Sequence, residues 1–183
     1  MNFDLSQVAA LANRLALLDS QRRKVAISRG LLKVGKQGAT AAKSEISRIY
    51  NVKAGVVAQR IRVVAGEKKV EIKAARRNAR SNRIPLMDFG AKEKNGQGVT
   101  FSVVKGRKQR LRHAFVATMK SGHEGVYQKK KNTGKLSEAL GIDVTHMMVG
   151  KRVLPIVISK INAKMSLVIA HELHWEIKRL LAK

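Results

Sequence analysis

Four groups of residues in this 183-residue chain have types and spacings that could do chemistry. His171-Glu172-Leu173-His174 places two imidazoles three positions apart, close enough on one helix face to share a metal ion. A zinc-protease helix needs its histidines four apart, and Trp175 stands at the required position. No third ligand is visible, so a solvated or interfacial helix face fits better. Gly30 to Lys36 spells Gly-x-x-x-x-Gly-Lys, but Gln37 follows where a phosphate-binding loop has Ser or Thr for magnesium, and no strand precedes it. His123-Glu124 follows Ser121-Gly122 in a turn, without a nucleophile elbow around the serine. The few carboxylates are scattered among basic residues and form no acid/base pair. No catalytic residue, cofactor site or metal site is expected.

The fourth group is the basic side chains. Lys and Arg number 38 against 12 Asp and Glu, a formal net charge of +26. Such an excess repels itself in a compact chain and calls for a polyanion, with nucleic acid the commonest and an acidic protein surface the second choice. By segment the net charge is −1 over residues 1–19, +23 over 20–131 and +4 over 132–183. Three clusters are the expected contacts with DNA or an acidic partner: Arg76, Arg77, Arg80 and Arg83; Lys105, Arg107, Lys108, Arg110 and Arg112; Lys129, Lys130 and Lys131. No aromatics interleave them, so binding is expected to be electrostatic, independent of base sequence and steeply salt-dependent.

These clusters need elements to hold them. Leu5, Val8, Leu11, Leu15 and Leu18 make one helical stripe over Met1 to Leu18. A second helix is expected from Gln21 to about Tyr50, kinked or frayed where Gly30, Gly35 and Gly38 weaken it by about 1 kcal/mol each relative to Ala. A turn at Asn51-Val52 leads to a short helix over Ala54–Ile61. Alternation of apolar and polar residues predicts strands at Lys68–Ala74, Val99–Val103, His113–Met119 and Gly125–Gln128. Gly106 to Arg110 reads as a basic hairpin tip. Leu136–Met148 is expected to be a short helix, and a long helix runs from Pro155 to the end with Ile158, Ile161, Met165, Val168, Leu173, Ile177 and Leu180 as its stripe.

The fold class is therefore α+β: N-terminal helices, a central antiparallel sheet with basic loops, and a long C-terminal helix. One domain is expected over 1–183, helical over 1–64, sheet over 68–130 and helical again over 135–183. Apolar residues make up 44% of the chain, enough for a core, and aromatics only 4%, so that core is aliphatic. Cysteine is absent, which removes disulfides and cysteine-type zinc sites. The N-terminus lacks the pattern of a secretory signal, and no apolar run approaches the roughly 20 residues of a membrane span. No membrane partner is expected.

Thr40–Val64 has a helix-turn-helix rhythm, with Lys53, Gln59, Arg60 and Arg62 placed to meet bases or phosphates. That supports one reading, a nucleic-acid-binding regulator or DNA packaging factor. Another comes from His113-Ala-Phe-Val-Ala-Thr-Met-Lys-Ser-Gly-His-Glu-Gly-Val-Tyr127. This stretch resembles the minor tail protein Z family of lambda-like phages: an Ala-Phe-x-Ala strand, a Ser-Gly-His turn and a Gly-Val-aromatic strand. Ile84-Pro85-Leu86-x-x-Phe89 and the Gly-Arg-Lys at 106–108 fit as well. Leu136 to Asp143 matches the next segment, with Ile142 where the family has Pro, and Lys129 or Lys130 stands for its usual Arg. The resemblance implies a tail completion protein in the virion's tail or neck, assembled in the host cytoplasm. It would join the head-proximal end of the tail near the DNA channel, as a homo-oligomeric ring between tail terminator and head-tail connector proteins. Trp175 is the candidate subunit contact, since Trp is enriched in interface anchors.

Overall fold

A computed structural model describes residues 16, 18–66, 69–74, 83–94, 97–129 and 134–182. The expected first helix, Met1 to Leu18, lies almost wholly outside them. Four helices are described: α1 (Ser20–Ile49), α2 (Ala54–Ala58), α3 (Val144–Val149) and α4 (Leu154–Leu181). Ten short strands are β1 (Ile61–Ala65), β2 (Val70–Ala74), β3 (Arg83–Pro85), β4 (Lys92–Lys94), β5 (Gly98–Phe101), β6 (Gln109–Leu111), β7 (Ala114–Thr118), β8 (Glu124–Lys129), β9 (Leu136–Glu138) and β10 (Leu140–Asp143). The architecture is α+β, as the residue pattern predicts. The single central sheet resolves, however, into four small sheets ordered β1-β2, β10-β3, β4-β5-β6 and β7-β8-β9. Packing divides the chain into two compact units. One holds the described parts of Met1–Ala41, Val63–Ile72 and Ile156–Lys183; the other holds Ala42–Arg62 and Lys73–Pro155.

In the first unit α1 runs on through its glycines without a break, contrary to the expected kink. The glycines are there for closeness. A Cβ on Gly30 would stand 3.1 Å from Ile169 of α4, and one on Gly38 would stand 2.7 Å from Ile161 of α4 and 2.9 Å from Ile72 of β2. A Cβ on Gly35 would fall 2.3 Å from Val70 Cγ1 and 3.0 Å from Val63 Cγ1. The helix gives up propensity at three positions and gains intimate packing there. Leu18, Ala26 and Leu173 form the buried cluster at the other end of the pairing, with Ile169, Ile177 and Leu180 against it.

Two carboxylates enter this interface. Glu172 and Glu176 of α4 are 4% and 5% exposed, which demands partners. Arg29 Nη2 donates to Glu176 Oε2 at 2.9 Å, and Lys33 Nζ donates to Glu172 Oε1. The Lys33 hydrogen bond is the chief reason the Glu172 carboxyl is held below the usual carboxylate range. Burial opposes it, and the charges of Lys33, Arg29 and His171 reinforce it. Pro155 lies in the first turn of α4, where its missing N–H leaves no hydrogen bond unmade. By length and composition α4 could also cross a membrane, which the reading of short apolar runs did not foresee. Its described face includes exposed Leu154, Ile158, Met165 and Leu167.

In the second unit the core residues Ile46, Val57, Ile84, Phe89, Val99, Val126, Val144, Met147 and Val153 are essentially fully buried. A 3-10 turn, Leu86–Phe89, carries the fully buried Phe89 and packs against β3, β5, β8 and β10. The expected helix at Leu136–Met148 is instead β9, β10 and then α3. Two constraints explain the difference. Gly141 lies against the Phe89 ring, where a Cβ would come within 2.5 Å of it, so this stretch must pass the ring as extended backbone. Asp143 then caps α3, accepting from His146 N at 2.7 Å and so starting the helix only there. β1 (Ile61–Ala65) has no counterpart in the expected elements; the short helix expected over Ala54–Ile61 ends at Ala58, and Ile61 opens the strand.

Two outcomes follow from the packing around these glycines and carboxylates. Gly35→Ala is expected to lower stability by about 1–3 kcal/mol, because stiff Val70 and Val63 must move. Gly55→Ala in α2, with nothing within 4 Å, is expected to raise it by up to about 1 kcal/mol. Denaturant midpoints of the two variants would check the contrast, and equal shifts would refute it. For pH, a carboxyl whose folded pKa is depressed contributes stability that is complete above its unfolded value and is lost as pH falls through the folded one. Lys33→Met is therefore expected to reduce the thermal midpoint at neutral pH, with the gap from the parent narrowing below about pH 4. A gap independent of pH would show that the pair does not act this way.

Candidate functional site

The basic loops are built on the β5–β6 hairpin. Its register pairs Val99 with Leu111, Thr100 with Arg110 and Phe101 with Gln109. Val99 points into the core, so by strand alternation Thr100 and Arg110 face away from it. The connecting loop is tied at its base: Ser102 Oγ lies 2.7 Å from the Val104 carbonyl and 2.9 Å from that of Arg107, and its single hydroxyl proton is shared between them. Gly106, at φ 80°, completes the turn. Arg107 and Lys108 are exposed at the tip. This is the basic hairpin tip that the glycine and charge pattern predict.

Lys105 differs from its neighbours. Its Nζ donates to the Ser47 carbonyl in the last turn of α1 at 2.7 Å, where a cation meets the negative end of the helix dipole. Next to it, Lys105 N donates to Ile49 O, Asn51 N donates to Val103 O, and Tyr50 bridges to Val104. Lys105 therefore anchors the loop to α1.

Arg110 and Arg112 border one cavity with Glu93, Gln97, Gly98, His113, Ala114 and Phe115. Arg110 Nε donates to the Gln97 carbonyl at 2.6 Å. The Arg112 carbonyl accepts from Gln128 Nε2 at 3.3 Å. Because Ala114 pairs with Gln128, Lys129 lies at the same end of the β7-β8-β9 sheet as the Arg112–His113 turn. Arg83 is exposed on β3, across from Asp143 in register. Arg76, Arg77, Arg80, Lys130 and Lys131 lie outside the described residues.

The other candidates resolve as follows. The Gly30–Lys36 sequence is interior to α1, so it forms no phosphate-binding loop. His171 and His174 are exposed, and among the described residues no group of three or more His, Cys, Asp or Glu side chains could hold a metal ion. His123 Nε2 meets Glu138 Oε1 of β9 at 2.9 Å, joining the Ser-Gly-His turn to the sheet edge. Trp175 is 45% exposed; the Arg29 guanidinium lies 4.9 Å from its ring centroid and that of Arg179 5.5 Å. The ring is thus already stacked by cations.

The helix-turn-helix rhythm does not become a reading helix. α2 is only five residues long, and Arg60 is 6% exposed with its Nη1 donating to the Val56 carbonyl. Arg60 stabilises the end of α2 and cannot reach a base. The residues that sequence reasoning missed are the buried Glu172 and Glu176. Their signal was present: acids four apart on the apolar stripe of α4, matched by Arg29 and Lys33, also four apart, on α1.

A family model described as prophage minor tail protein Z (GPZ) matches residues 10–183. No curated protein and no solved structure matches the chain significantly.

Proposed function

The chain belongs to the prophage minor tail protein Z family, and from that membership we propose a tail completion role for this phage tail protein. In this reading it sits at the head-proximal end of the tail, in the neck. It joins tail to head as a homo-oligomeric ring between the tail terminator and the head-tail connector, beside the DNA channel. It assembles in the host cytoplasm, and its part is structural rather than enzymatic.

The observation that carries the reading is the display of basic side chains on a tied-down hairpin. Arg107 and Lys108 are exposed on a loop fixed by Ser102 and Lys105, Arg110 on β6 and Arg112 in the turn after it, and Lys129 is exposed at the neighbouring sheet end. Fixed cations of one sign suit a phosphate backbone passing close by, contacted without regard to sequence. The exposed apolar residues of α4, with Trp175 further along, suit packing between subunits or against neighbouring tail proteins. A membrane span suits α4 less well, since even its most apolar stretch would carry Lys160 and Lys164 into the membrane.

Reversing Arg107, Lys108 and Arg110 to Glu is expected to leave the fold intact, because these side chains are exposed. Tails carrying the triple variant should fail to join heads or to retain DNA. Head-tail joining in a complementation lysate, with electron microscopy of the particles, checks this; normal yields of infectious particles would overturn it.

A further inference from the structure

We propose that the cavity beside the basic hairpin is a nucleotide site, which takes one nucleotide of an unpaired DNA strand. The proposal rests on the reading of DNA as the anionic partner, and adds to it a defined pocket with its own selectivity. The cavity measures about 380 Å³, within the roughly 300–1,000 Å³ range of small-ligand pockets. Its lining is chemically bipartite. Arg110 and Arg112, two residues apart on one side of the chain, offer guanidinium donors to a phosphate, with His113 beside them. Phe115 offers a ring for a base to rest on.

Glu93 is the informative member. A carboxylate has no place in a site for a bare inorganic anion. Here Glu93 Oε2 accepts from Val116 N at 2.8 Å, and the remaining acceptor capacity suits a hydrogen-bond donor on the ligand. A molecule with an anionic end and a planar, donor-bearing end satisfies both halves. A cytosine nucleotide is one, since carboxylates accept from its exocyclic amino group.

The walls are also preset. Arg110 is held by the Gln97 carbonyl, the Arg112 carbonyl by Gln128, and Val116 N by Glu93. His113 is the one non-glycine residue with positive φ among those described, at 61°, so the turn between β6 and β7 keeps a conformation most side chains avoid. Gly98 lets this turn come close, since a Cβ there would stand 2.4 Å from the Leu111 carbonyl. Paired bases are stacked and cannot enter such a pocket, which is why the ligand is an unpaired unit.

The test uses the full chain and three probes: a 5′-phosphorylated oligodeoxycytidine of eight nucleotides, deoxycytidine monophosphate, and a blunt 20-base-pair duplex. Arg112→Met and Phe115→Leu are compared with the parent by fluorescence anisotropy, with thermal midpoints checking that both variants fold. Each substitution is expected to weaken the oligonucleotide about tenfold, and Phe115→Leu, which removes no charge, is expected to leave the duplex within about twofold. Amide NMR shifts on adding the oligonucleotide should centre on Gln97, His113 and Phe115. Duplex binding that persists while the oligonucleotide ignores both substitutions would overturn the pocket and spare the DNA reading. Absence of binding to either DNA would overturn both. Monophosphate binding without oligonucleotide binding would overturn the strand assignment.

Discussion

A phenylalanine ring set where a glycine leaves room for it is the contact on which the second unit depends. Its sheets have only two or three strands, most of them three to five residues long, and none of them alone buries a face. Phe89 supplies a common centre. Its ring lies against Gly141 of β10, and its turn touches strands from three of the small sheets. The Phe89 carbonyl accepts from Asn51 Nδ2 at 3.0 Å and from Ser102 N at 3.3 Å. Ser102 in turn organises the loop bearing Arg107 and Lys108. The charged surface is thus only two links removed from the core: the Phe89 carbonyl holds Ser102, and Ser102 holds the loop.

The first unit uses glycine for a different reason. Along α1 the missing side chains are contact points, which let α4 and the β1–β2 pair approach a long helix closely. Bulky aromatics are scarce in this sequence, so little mass is available to fill gaps; close approach of backbones removes the gaps instead.

Periodicity made much of this legible. The 30-residue α1, the terminal helix, and the strands at Val70–Ala74, Gly98–Phe101, Ala114–Thr118 and Glu124–Lys129 all fall where alternation or a helical stripe puts them. The family was legible too, in the His113–Tyr127 stretch. What was not legible depended on distant partners. Gly35 reads as a helix weakness until Val70 is known to lie against it. Leu136–Asp143 has helical residues, but Phe89 requires it to be extended. Arg60 reads as a free cation because nothing local shows that it folds back on Val56. Among the candidate contacts, Lys105 stood in a cluster of exposed cations, and only the tertiary structure reveals the helix end that holds it.

The crossed pairing of Arg29 with Glu176 and Lys33 with Glu172 also carries information about alignment. In each helix the two charges are one turn apart, and the sequence orders are opposed, so the helices run antiparallel. A slip of one turn, about 5.4 Å, would still satisfy one pair but would leave the other buried carboxylate without its cation. Apolar stripes tolerate such slips, because one aliphatic side chain replaces another. The two acids therefore work as a two-digit key, which decides where along each other the helices stop.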